Sequence, residues 1–143
     1  MGSGGHYPSR MISVDLATEL RAAGLSWRPE WGDRFHIPDR HLDDESFLIA
    51  DLSVYVTTLA DGLGAISFNG TSEWAMDYIL THEVIWLPTE TQLRSRLSDG
   101  FRRLEPTSSG FRCTVDLDGQ DRSFEGPTAA DAYGKALLET LRV

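Results

Sequence analysis

The sequence predicts an α+β domain, a mainly antiparallel sheet or two small sheets with about four packed helices, and three observations carry that prediction. Phe111, Cys113, Val115 and Leu117 alternate with Arg112, Thr114 and Asp116, the period of two expected of a strand with one buried and one solvated face. Apolar residues elsewhere recur at helical spacing behind capping residues, as in Thr89 with Gln92 and Thr128 with Asp131. Between the helices, β-prone runs follow one another across Gly- and Asp-containing turns, the pattern of hairpins and meanders.

Taken in order, residues 1 to 10 combine Gly, Ser and Pro without apolar periodicity and read as a flexible leader, with the folded domain at 11 to 143. Ile12, Leu16, Leu20 and Ala23 form a helical stripe, Ser13 caps it, and Gly24 supplies a left-handed stop. Trp27, Trp31 and Phe35 alternate with the breakers Pro29 and Gly32-Asp33, which predicts short strands joined by a turn. Asp39 to Glu45 is too charged to bury and reads as a surface loop. Phe47 to Ala50, Val54 to Leu59 and Leu63 to Phe68 are β-like. After the Asn69-Gly70 turn, Trp74, Ala75, Tyr78, Ile79 and His82 share one face at helical steps and predict a central helix. Val84 to Leu87 is a buried strand ended by Pro88, and Leu93 and Leu97 give a short helix closed by Gly100. Phe101 to Leu104, Phe111 to Leu117 and Arg122 to Glu125 then form strands. The last helix starts at Thr128 and turns Ala132, Tyr133, Ala136, Leu137, Thr140 and Leu141 inward.

The 143 residues fit one domain able to bury a core. A net charge of −9 opposes phosphate backbones and anionic lipid, so no nucleic acid and no membrane partner is expected. No run approaches a bilayer span, and Cys113 is the single cysteine, which points to a reducing, cytoplasmic setting.

Candidate chemistry concentrates in His36-Ile-Pro-Asp39-Arg-His41-Leu-Asp43-Asp44-Glu45. Its imidazoles and carboxylates have the donor chemistry of a divalent-metal site or of an acid/base pair. The spacing matches no established metal signature, and a charged loop capping a sheet edge accounts for the same residues. His82-Glu83 at the end of the predicted central helix is a second pair, equally explained by a helix terminus that favours a cation. Cys113 alternates with core positions and reads as an inert thiol. Among the four tryptophans, Trp31 beside Gly32-Asp33 is expected nearest the surface, so Trp31, His36, Asp39 and His41 are the candidate binding residues. Arg94, Arg96, Arg102 and Arg103 form a basic run that reads as a solvated, ion-paired face.

Trp27-x-Pro29-x-x-Gly32-Asp33, Phe68-Asn69-Gly70-Thr71, Glu73-Trp74-Ala75 and Trp86-Leu87-Pro88 together resemble a group of short uncharacterised bacterial proteins, some of which carry a pilus-assembly label. That resemblance covers about residues 25 to 141 and implies no catalytic residues, and the chain lacks the phosphate-binding loop that a pilus-assembly ATPase needs. No nucleophile elbow and no paired Cys motif is present either, which weighs against catalysis. The expectation is a non-catalytic protein-binding or accessory module without a cofactor, acting on a protein partner or as a homodimer. The alternative is a small metal-dependent hydrolase using His36, Asp39, His41 and Asp43 or Asp44.

Overall fold

The computed structural model describes residues 11–38, 47–48, 54–58, 64–68, 78–80 and 84–143. Helices combine with small antiparallel sheets in two compact units, one formed by the chain up to Ser26 and from Leu87 onward, the other by Trp27–Trp86.

The first unit holds helices α1 (Val14–Ala22), α2 (Glu90–Leu97) and α3 (Ala129–Arg142), and strands β7 (Phe101–Thr107), β8 (Gly110–Leu117) and β9 (Gln120–Gly126) in the order β7-β8-β9. Each helix starts where a side-chain acceptor meets an orphan N–H: Ser13 Oγ takes the Leu16 N–H, Thr89 and Gln92 form a reciprocal capping box, and Thr128 Oγ1 takes the Asp131 N–H. The β8–β9 turn is Asp118-Gly119, both at positive φ (54° and 84°), the combination a two-residue type I′ hairpin requires.

Register sorts the sheet faces, since residues directly opposite share a face. Cys113 sits between Leu104 and Phe124, and the buried Val115 opposite Phe101, on the apolar side. Helix α3 packs against β8 and β9 and also receives α1 and α2. Gly134 makes the α1 contact close: a Cβ there would stand 2.7 Å from Leu16 Cδ2 and 3.1 Å from Ile12 Cδ1.

The other face carries Arg103, Glu105, Arg112, Thr114, Asp116, Ser123 and Glu125. Arg102 bridges Asp116 and Asp121, Arg112 bridges Glu105 and Glu125, and Thr114 Oγ1 and Ser123 Oγ share a hydrogen bond of 2.8 Å. Each exposed pair contributes about 0–1 kcal/mol, so the charged part of this face is solvated and self-neutralised, while Thr114, expected on the solvated face, is itself buried. The paired charges match the ion-paired reading for Arg102 and Arg103, whereas Arg94 of the same basic run has no carboxylate within ion-pair distance among the described residues.

Cys113 is fully buried, and desolvation pushes its thiol up to about 11. The unfolded chain releases that proton from about 9 and the folded chain does not, so stability falls as pH rises from about 9 to about 11. Native protein at pH 8 is expected to resist a thiol-specific disulfide reagent and to react fully in denaturant. Rapid native labelling would contradict this burial.

The second unit holds β1 (Arg34–His36), β2 (Phe47–Leu48), β3 (Val54–Thr58), β4 (Gly64–Phe68) and β5 (Tyr78–Leu80), and most of β6 (Ile85–Leu87), in sheets of order β2-β1-β6 and β3-β4-β5. β3 and β4 pair antiparallel from Val54 opposite Phe68 to Thr58 opposite Gly64, the hairpin the sequence predicts.

Two expectations are corrected. Among the described residues there are three α-helices, not about four, and three small sheets instead of one or two. The central helix is the difference, because Tyr78, Ile79 and Leu80 lie in β5, opposite Ser67, Ile66 and Ala65 of β4. Tyr and Ile favour strands, and once β4 offers a free edge, cross-strand pairing outweighs a helical spacing read over a few residues. Trp74, Ala75 and His82, like residues 1 to 10, lie outside the described residues.

Candidate functional site

Asp33 organises the segment that carries Trp31. Its buried carboxylate oxygen Oδ2 accepts from Trp27 Nε1 at 2.9 Å and from the Glu30 backbone N–H at 3.1 Å. The Asp33 N–H donates to the Glu30 carbonyl at 3.1 Å, closing a four-residue turn over Glu30-Trp31-Gly32-Asp33. Gly32 has φ of +89°, the left-handed sign that the third residue of a type II turn demands. Behind the turn, the Trp27 ring stacks on Trp86 at 6.2 Å with planes 8° apart and leans on Phe35 at 6.1 Å. A charge-assisted brace and an aromatic stack therefore hold both ends of a turn whose second residue, Trp31, is 73% exposed. Arg28 and Glu30, which both precede Trp31 in the chain, are exposed as well.

Of the other candidate residues, His36 lies within β1 and is 5% exposed, in a strand flanked by buried Phe35 and Ile37. Asp39 and His41, with Asp43, Asp44 and His82-Glu83, lie outside the described residues. Among the described residues no group of three or more His, Cys, Asp or Glu side chains is placed to hold a metal ion. No helix of the described residues is long and apolar enough to cross a membrane.

A second site, which the sequence reading did not single out, lies in the first unit. Glu90, Thr91, Arg94, Ser95, Ser98, Phe101 and Tyr133 line an open cleft of about 480 Å³ between α2, the start of β7 and α3. The Arg94 guanidinium lies 4.3 Å above the Phe101 ring centroid, and the Phe101 and Tyr133 rings meet at 5.9 Å and 49°. Burial raises the Tyr133 phenol above its ordinary range; the Arg94 charge opposes that shift, and Cys113 and Glu90 add to it. Both charged walls of the cleft thus act on the phenol. The helical spacing of Tyr133 correctly marks it as inward-facing, but its partners come from residues some 30 to 40 positions earlier. Spacing within α3 carries no trace of them.

Comparison with protein-family models, curated proteins and solved structures finds no match to this chain.

Proposed function

We propose that this protein is a non-catalytic protein-binding module that inserts the Trp31 indole into an apolar pocket of another protein. The observation that carries the reading is a large aromatic side chain left 73% exposed on a turn that is itself tightly braced. Among the described residues, the exposed large apolar side chains are Trp31 and Val143, so Trp31 is not one of many scattered over the surface. Burying an indole removes about 150–250 Å² from water, worth roughly 4–6 kcal/mol at about 25 cal/mol per Å² before association costs. The brace lowers those costs, because the turn is ordered before the partner arrives. Arg28 and Glu30 give the anchor a rim of both charge signs, which suits selectivity for a polar-edged pocket.

The setting proposed is a reducing cytoplasm, where the single cysteine stays a buried thiol, and the resemblance to short bacterial proteins suggests an accessory role.

Paired capture with wild-type protein and Trp31→Ala, combined with light scattering to reveal self-association, tests the reading. Trp31→Ala is expected to melt within about 2 °C of wild type, because an exposed substitution changes stability by about 0.5 kcal/mol or less. Binding of the captured partner, or of a second copy of the chain, is expected to weaken at least about 30-fold, as for an anchor worth about 2 kcal/mol. A partner that binds both forms equally, or a monomer that retains nothing, defeats the proposal.

A further inference from the structure

We propose that the cleft between α2, β7 and α3 binds a small dipolar ligand of the α-amino-acid class, its carboxylate on Arg94 and Tyr133 and its ammonium on Glu90. This site is independent of Trp31 and of the protein-binding reading.

Two oppositely charged side chains line one cleft without neutralising each other. Glu90 and Arg94 are four residues apart on α2, with the acid N-terminal, the arrangement in which an exposed helix ordinarily forms an ion pair. None forms here, and among the described residues Arg94 has no carboxylate partner within ion-pair distance. Arg102, Arg112, Arg122 and Arg142 all have one. Arg94 instead lies against the face of Phe101, a placement that fixes the guanidinium plane while leaving its N–H edges free to meet a carboxylate in two parallel hydrogen bonds.

Thr91, Ser95 and Ser98 line the same cleft with short hydroxyl side chains, which leaves room and supplies further donors and acceptors. The volume of about 480 Å³ falls within the roughly 300–1,000 Å³ range of small-molecule sites. Charge selects among ligands. A phosphate dianion would meet Glu90 and a chain of net charge −9, and a plain cation would meet Arg94. A ligand with both charges a few ångströms apart satisfies both walls.

Calorimetric titration with L-leucine and L-phenylalanine, with N-acetyl-L-leucine (carboxylate alone) and L-leucine amide (ammonium alone) as comparisons, tests the assignment. At least one free amino acid is expected to bind, and each blocked form to bind at least about tenfold more weakly, the loss of one charged contact. Arg94→Ala and Glu90→Gln are each expected to weaken binding about tenfold or more, with Arg94→Lys recovering part of the loss. Arg112→Ala, on the opposite face of the sheet, leaves binding unchanged. Melting curves of the two cleft variants, both of partly or fully exposed side chains, are expected to overlay that of wild type, so lost binding is not lost folding.

Tighter binding by Glu90→Gln, or acetylated leucine binding as well as leucine, would identify a simple carboxylate site and overturn the dipolar assignment. Absence of heat from every probe up to about 10 mM, well above a millimolar Kd, would overturn it too.

Discussion

Gly110→Ala is expected to destabilise the first unit by about 3–5 kcal/mol and to lower its melting temperature by about 10 °C or more. Gly110 opens β8 at φ +157°, and a Cβ built there would run into the carbonyl oxygen of Gly126 and stand 2.8 Å from Pro127 Cα. Both obstacles are backbone at the junction of β9 with α3, and neither can rotate away as a side-chain tip would. Relief requires the end of β9 to separate from β8, in the sheet on which α3 packs. Thermal unfolding followed by circular dichroism measures the effect. A loss below about 1 kcal/mol would show that this junction yields easily to an added Cβ.

The second large effect is expected at Asp131, which is 7% exposed and accepts a hydrogen bond of 2.9 Å from the Ser13 N–H. Its own N–H donates to Thr128 Oγ1, so one residue in the first turn of α3 is tied both to its own cap and to the cap of α1, 118 positions away. Its negative charge also lies at the positive end of the α3 dipole. Asp131→Ala removes a charge-assisted bond worth about 1.5–3 kcal/mol and a dipole interaction worth about 0.3–1 kcal/mol. A total loss of about 2–4 kcal/mol is therefore expected in denaturant titration. Asp131→Asn, which keeps an acceptor oxygen, should recover part of it. Asp15→Asn, in the exposed first turn of α1, should change stability by about 0.5 kcal/mol or less. Equal effects at Asp15 and Asp131 would mean that the long-range bond contributes nothing.

Legibility in the sequence followed how local each cause was. Thr89 with Gln92 and Thr128 with Asp131 act within one helical turn, and the structure realises both caps as hydrogen bonds. Asp118-Gly119 needs positive φ at two adjacent residues, so the pair announces its own hairpin. Trp31 beside Gly32-Asp33 was legible as a surface residue for a similar reason, since its turn is closed by neighbours within three positions. Tyr78 to Leu80 failed the other way: a helical spacing was available locally, and the pairing with β4 that excludes it depends on a strand ten or more residues earlier. The role of Asp33 as acceptor for Trp27 was also hidden, because nothing in an Asp beside a Gly distinguishes a turn residue from the buried brace of a stacked tryptophan.

The sequence by itself determined the α+β class, the caps and turns, the strand character of β8 and the exposure of Trp31, all consequences of backbone preference over a few residues; the alternating burial expected of β8 is not what forms, because Cys113, Thr114 and Val115 are all buried. Tertiary structure alone decided that residues 78 to 80 pair as a strand, that Asp131 holds the start of α1, and that Arg94 settles on Phe101 beside Tyr133 and away from Glu90. Those outcomes depend on which distant groups share a small volume, and a short sequence window does not contain that information.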